Sequence, residues 1–157
     1  MQSANNDGAR LTITENGEPA KFNLWLGDTQ VTAENFKSVP ITDGAAQYDP
    51  LSKRLFLENA IISPTGEGEG LKSKIDGLAI YADGLNVITT TSATALHNEA
   101  PHFTVAGDGR IFLSGKSFGF YTVPGSAATF KGCVIDCDGS FGSDNDGAEI
   151  NVSSATI

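Results

Sequence analysis

The chain has 157 residues, which suits a single domain long enough to bury a core. Its 18 glycines, single methionine and 39% hydrophobic content favour strands and tight turns over long helices. The net charge of −9 argues against nucleic acid or an anionic membrane surface as the main partner, because both require clustered Lys and Arg. No signal peptide is recognisable, and no apolar run approaches the roughly 18 residues that a membrane-spanning helix needs.

The N-terminal third differs in pattern from the rest of the chain. Residues 1–10 are polar and are predicted to be disordered, as a mature end left after a leader was removed or as an added segment. Residues 11–53 contain strand-like runs, with hairpin signals at Asn16-Gly17 and Gly27-Asp28. A stack of coils exposes backbone and core at its ends, so we predict that these strands form a cap. Trp25 is expected to seal the first coil, with sugar binding as its alternative role.

Residues 54–157 contain five similar segments. Each reads as a short alternating strand, a bend with Gly, Asn or Asp, and a second short strand. The segments are RLFLENAIIS (54–63), LAIYADGLNVITT (78–90), FTVAGDGRIFLSG (103–115), ATFKGCVIDC (128–137) and INVSSATI (150–157). Their repeat length of roughly 22–26 residues predicts an all-β fold: a right-handed parallel β-helix of about five coils with an N-terminal β cap.

Superposition of the segments predicts three inward ladders of apolar side chains. The first is Leu57, Ile80, Val105, Phe130 and Val152; the second is Ile62, Ile88, Leu113, Ile135 and Ile157; the third is Leu71, Leu96, Phe120 and Ser143. Two residues after the third ladder lies a polar set, namely Ser73, Asn98, Thr122 and Asn145. Because strand side chains alternate with a period of two, we expect this set to be buried and mutually hydrogen-bonded. The alternative is that the stretches carrying this set are loops, with these side chains in solvent.

Cys133 and Cys137 are the only cysteines. On one extended strand their Cα atoms would lie about 13 Å apart, whereas a disulfide requires less than about 7 Å. We therefore predict two reduced, structural thiols.

The stretches FNLWLGDTQVTAEN (22–35), QYDPLSKRLFLENAII (47–62) and LKSKIDGLAIYADGLNVITTT (71–91) resemble β-solenoid domains of gut Bacteroidetes and Firmicutes. The resemblance covers roughly residues 22–140. It implies the solenoid fold, an exported or surface-attached location and, by the usual label of such domains, carbohydrate binding. It transfers no functional residue, since these domains share no catalytic motif.

Two outward rows are the candidate sites. Beside the third ladder, a row of mixed chemistry could grip a glycan, and the alternative is a solvated face. Its members are Lys72, His97, Tyr121 and Asp144, with Glu99 beside them. Flanking the second ladder, an apolar row is expected to be covered by residues 1–45 or by another chain. Its members are Ile61, Val87, Phe112 and Val134, with Tyr81 and Phe118 as extensions.

Acidic residues near the C-terminus allow two further hypotheses. Asp136, Asp138, Asp144 and Asp146 could form a Ca²⁺ site, although the segment matches neither an EF-hand loop nor a calcium-binding repeat. Acids on adjacent coils could also serve glycoside cleavage. No Arg or Lys is expected beside them, so we predict no catalytic residue. Because the segment matches neither calcium-binding pattern, we also predict no metal site and no cofactor, with Ca²⁺ as the alternative.

The sequence therefore predicts a non-catalytic, extracytoplasmic recognition or adhesion module with glycans as the expected ligand. The alternatives are a structural spacer or assembly module of a longer surface protein, and a polysaccharide lyase or glycoside hydrolase. The last run, INVSSATI, stops in mid-strand without a recognisable cap. We expect homotypic contact through this open C-terminal coil, and we expect neither nucleic acid binding nor membrane insertion.

Overall fold

The computed structural model describes residues 18–142 and 148–157, and every regular element in these ranges is a β-strand. No helix that could cross a membrane occurs within these two ranges. The strands are β1 (Lys21–Leu26), β2 (Thr29–Thr32), β3 (Asp43–Asp49), β4 (Arg54–Ile62), β5 (Leu71–Ser73), β6 (Leu78–Asp83), β7 (Leu85–Thr89), β8 (Leu96–Asn98), β9 (His102–Gly107), β10 (Arg110–Thr122), β11 (Ala127–Lys131), β12 (Val134–Gly142) and β13 (Glu149–Ser153).

Parallel pairing between successive coils divides the repeat into three sheets. The first sheet contains the start of β4 followed by β6, β9, β11 and β13. The second contains the end of β4, then β7 and the first parts of β10 and β12. The third contains β5, β8 and the last parts of β10 and β12. The predicted parallel β-solenoid is confirmed, although the expected five coils are four coils and the start of a fifth.

The first two predicted ladders are correct in face up to their last members, Val152 and Ile157, which are 51% and 48% exposed. Each ladder is also shifted in register at one position. Leu55, and not Leu57, pairs with Ile80 on the first sheet. Cys137, and not Ile135, pairs with Leu113 on the second. Both shifts are of two residues, which leaves the side chains on the same face of the strand. Leu57 and Ile135 are therefore still buried, although each lies two residues along its strand from the residue that pairs with the ladder.

The third ladder also differs at its last rung. Leu71, Leu96 and Phe120 pair as predicted. Phe141 then takes the place expected for Ser143, which lies outside the described residues. Its ring contacts Phe120, with ring centroids 5.0 Å apart, so an aromatic side chain continues the core where the sequence predicted a hydroxyl.

Burial of the polar ladder is confirmed at the three positions that the structure describes. Mutual hydrogen bonding is confirmed between Asn98 and Thr122, whereas Ser73 Oγ accepts from the N–H of Ile75. Ser73, Asn98 and Thr122 are fully buried, whereas Asn145 lies outside the described residues. Asn98 Nδ2 donates to Thr122 Oγ1 at 3.0 Å and to the carbonyl of Ala100 at 2.8 Å. Burial is tolerated because these bonds replace the ones that water would make.

The cap consists of antiparallel strands on the first coil. Strand β1 pairs with β5 and with β2, and β3 pairs with β4. This confirms the predicted β cap, of which residues 11–17 lie outside the described part. Leu24 and Leu26 are buried, but Trp25 lies between them in an alternating strand and points outwards. The prediction that Trp25 seals the first coil is therefore wrong.

Both cysteines are free thiols, as predicted. Cys133 is buried and Cys137 is partly buried. Burial raises the pKa of both thiols above the usual value. They are therefore held in the neutral, poorly nucleophilic form.

Candidate functional site

An outward row of side chains runs across the third sheet and its cap strand. Lys72 pairs in register with His97, and His97 with Tyr121, as the sequence predicted. On the other side Lys72 pairs with Trp25 of β1. We call Trp25, Lys72, His97 and Tyr121 the outer row. Each step between neighbouring strands is about 4.8 Å.

The far end of this row departs from the prediction. Tyr121 pairs with Gly142 of the next coil, where Asp144 was expected. Asp144 lies outside the described residues. Because glycine has no side chain, the Tyr121 ring has no row neighbour on the next described strand.

Two glutamates join Lys72 and His97 into one network. Glu69 contacts His97 Nδ1 through Oε2, and its Oε1 lies 3.8 Å from Lys72 Nζ. Glu99 Oε2 lies 3.5 Å from both Lys72 Nζ and His97 Nε2. Its other oxygen lies 3.5 Å from Lys74 Nζ. His97 is thus held between two carboxylates, and the predicted association of Lys72, His97 and Glu99 is present.

The electrostatics of Glu69 reflect this network. Burial alone would raise the pKa of its carboxyl, but the contacts of the carboxylate with His97 and Lys72 outweigh burial. The pKa of Glu69 therefore lies below its ordinary value. With Lys72 and Lys74 opposite Glu69 and Glu99, the formal charges of the four acidic and ammonium groups cancel.

Aromatic rings lie at both ends of the outer row. The Tyr121 ring meets His97 edge-on at 5.2 Å and Phe118 at 4.9 Å, between centroids. At the other end, the ammonium groups of Lys72 and Lys74 lie 5.8 Å and 6.0 Å from the centroid of Trp25. A shallow hollow of about 220 Å³ opens beside Trp25, Gly27, Glu69 and Lys72.

This arrangement can bind a ligand that has both hydroxyl groups and apolar faces. Lys72 and Lys74 supply donors, Glu69 and Glu99 supply acceptors, and the rings of Trp25 and Tyr121 supply flat apolar surface. Sequence reasoning missed Glu69 as a member of the site and placed Trp25 in the core. The period-two alternation of NLWL, with Leu24 and Leu26 inward, was the signal that could have placed Trp25 outside.

The predicted apolar contact row is present in part. Ile61, Val87 and Phe112 pair in register on the second sheet. Val134 does not follow them, because Asp136 pairs with Phe112 and Val134 pairs with Arg110. The difference arises from the same two-residue register shift between β10 and β12 that displaces Ile135 from the second ladder. The row therefore ends in a carboxylate.

The two expected extensions of that row lie on other sheets. Tyr81 is on the first sheet, stacked on Phe56 with centroids 5.7 Å apart. Phe118 lies against Tyr121 and so flanks the outer row.

The acidic candidates are engaged by neighbours. Asp136 Oδ2 forms an ion pair with Arg110 at 2.9 Å, so the expectation that no basic residue lies beside these acids is wrong. Asp138 Oδ2 accepts a hydrogen bond from Ser114 Oγ at 3.3 Å. Asp144 and Asp146 lie outside the described residues. Within 18–142 and 148–157, no group of three or more His, Cys, Asp or Glu side chains is arranged to hold a metal ion.

Comparison of this chain with known protein families, curated proteins and solved structures finds no match.

Proposed function

We propose that this protein is a non-catalytic recognition or adhesion module that acts outside the cytoplasm, in a secreted or surface-attached protein, and binds glycans through the outer row. The observation that supports this most directly is the placement of an aromatic ring at each end of a polar pair, across four neighbouring strands. Trp25 and Tyr121 stand at the ends, and Lys72 and His97 lie between them. Sugars need polar partners beside an aromatic ring, and this face supplies both.

The backbone makes such a face suitable for recognition. Lys72 and His97 occupy the middle of three-residue strands whose neighbours, Leu71, Ser73 and Leu96, are fully buried. Buried neighbours on both sides hold the outward side chains in place. A preorganised face binds with less loss of conformational entropy than a mobile loop.

A glycan array tests the proposal. The protein is expected to bind at least one glycan class, and Tyr121→Ala and His97→Ala are each expected to weaken binding about tenfold or more. Tyr81→Ala is the matched control, because Tyr81 is a partly exposed tyrosine on a different sheet. Absence of binding to any glycan, by protein whose folding is verified by circular dichroism, would count against the proposal.

An assembly or spacer module is the second candidate function. It is favoured by the partly exposed apolar row of Ile61, Val87 and Phe112, which could contact another chain. This role predicts that Val87→Lys changes oligomeric state while glycan binding is unaffected. Tyr121→Ala should have the opposite pattern, so the two variants separate the two functions.

A further inference from the structure

We infer that the ligand of the outer row is a neutral oligosaccharide that lies along the stacking direction of the coils, with one end at Trp25 and the other at Tyr121. This inference rests on the proposed glycan recognition and adds the orientation, the length and the charge class of the ligand.

The orientation follows from the shape of the face. Strands β5 and β8 are each three residues long, so each presents one outward side chain, Lys72 or His97. A ligand lying along either strand would therefore meet one member of the row. A ligand crossing the strands meets all four, over three interstrand steps or about 14 Å. Only the second direction reaches both aromatic rings.

The length of the ligand follows from the positions of the rings. Trp25 and Tyr121 occupy opposite ends, and the two positions between them are polar. A single sugar can contact one ring, whereas a chain of several sugars can contact both at once. Simultaneous contact with two sites on one rigid face raises affinity without any new kind of contact. Affinity is therefore expected to rise steeply with chain length.

The charge class follows from the ion pairs. Lys72 lies between Glu69 and Glu99, and Lys74 lies at Glu99, so each ammonium group already has a carboxylate partner. Neither Lys72 nor Lys74 therefore offers an unpaired positive charge that would select an anionic ligand. The whole chain carries a net charge of −9, which repels a polyanion at long range. Hydroxyl groups, in contrast, can donate to the glutamates and accept from the lysines without breaking the charge balance.

Isothermal titration calorimetry with neutral oligosaccharides tests the inference. The probes are cello-, xylo- and manno-oligosaccharides from monosaccharide to hexasaccharide, with oligogalacturonides as the acidic comparison. In at least one neutral series we expect affinity to rise about tenfold or more between disaccharide and tetrasaccharide. We expect the affinity to change less than about twofold when salt is raised, since no net ion pair forms with the ligand.

Variants at the two ends locate the ligand. Trp25→Ala and Tyr121→Ala should each lower tetrasaccharide affinity about tenfold, with a much smaller effect on the disaccharide. Trp25→Phe keeps a ring on the cap strand and should retain most of the affinity, which guards against a folding defect in Trp25→Ala. Phe56→Ala removes an exposed ring on the first sheet and should leave binding unchanged.

Different results would contradict the orientation, the charge class and the binding of the ligand. Binding that does not depend on chain length, or that is retained in Trp25→Ala, would contradict a ligand lying along the stacking direction of the coils. Glycan recognition itself would still be supported. Salt-sensitive binding of oligogalacturonides alone overturns the neutral class. Failure of every probe to bind overturns this inference, whereas the proposed function is overturned only if the glycan array also shows no binding.

Discussion

Gly107 occupies a backbone position that other residues cannot take without strain. Its φ of +109° is in the region that favours glycine, and a Cβ there would lie 2.3 Å from the carbonyl oxygen of Ala82 on the preceding coil. We expect Gly107→Ala to lower the free energy of unfolding by about 2 kcal/mol or more. Urea denaturation followed by circular dichroism measures it. Gly66→Ala is the control, since its added methyl meets open space and should change stability by about 0.5 kcal/mol or less.

Glu69 makes stability depend on pH in a predictable direction. Its pKa is lowered in the folded protein from an ordinary value of 4.5, through the balance of burial, which raises it, and the contacts with His97 and Lys72, which lower it. A lowered folded pKa means that the carboxylate stabilises the fold above about 4.5 and that this stabilisation is lost as the pH falls through the folded value. Glu69→Gln should therefore destabilise the protein at neutral pH and have a much smaller effect in acid.

Urea denaturation of wild type and Glu69→Gln across this pH range gives the measurement. Glu67→Gln is the matched control, because Glu67 is an exposed glutamate two residues away. A destabilisation by Glu69→Gln that is equally large in acid would show that the carboxylate charge contributes nothing.

At the level of the strand, the sequence predicts faces more reliably than registers. Alternation placed Lys72, His97 and Tyr121 in one outward row, because each sits between two inward residues. It could not choose between Leu55 and Leu57, since both are buried and a two-residue shift preserves the face. The choice depends on hydrogen bonds between coils, which involve residues distant in sequence.

The predicted position of Asp144 failed for a related reason. Strands β10 and β12 pair in register up to Ser114 and Asp138, after which the register shifts twice before Phe120 meets Phe141. Strand β12 thus passes from the second sheet to the third in fewer residues than β10. Counting with a period of two assumes that the corner between two sheets has the same length on every coil. It therefore predicted Ser143 as the partner of Phe120, two residues beyond the actual partner, Phe141.

The corner between the first and second sheets depends on a buried asparagine. Asn86 is fully buried, its Oδ1 accepts from the backbone N–H of Ala60 at 2.8 Å, and its Nδ2 donates to the carbonyl of Asp83 at 3.1 Å. It therefore links two adjacent coils. We expect Asn86→Ala to lower the free energy of unfolding by about 2–3 kcal/mol, because the N–H of Ala60 loses its partner in the core.

Thermal and urea denaturation of Asn86→Ala measure this effect. Asn151→Ala provides the control, since Asn151 is exposed and its substitution should change stability by about 0.5 kcal/mol or less. Equal effects of the two substitutions would contradict a structural role for the Asn86 amide.

Across the whole molecule, the two ends of the coil stack differ. The first coil is covered by the antiparallel strands β1 and β3. Strand β13 pairs with β11 on one side, and no strand of the described residues pairs with its other side. Val152 on β13 is 51% exposed, although its rung partner Phe130 is fully buried. An unpaired strand edge beside apolar side chains is a surface on which another strand can add.

We propose that this edge mediates contact between two copies of the chain. Sedimentation equilibrium should reveal concentration-dependent self-association, and Val152→Lys should weaken it about tenfold or more, because a charge on an edge strand opposes strand addition. Leu51→Lys is the matched control: Leu51 is 71% exposed in the turn before β4, at the capped end, so its substitution should leave association unchanged. A wild-type protein that remains monomeric at every concentration would rule out this contact.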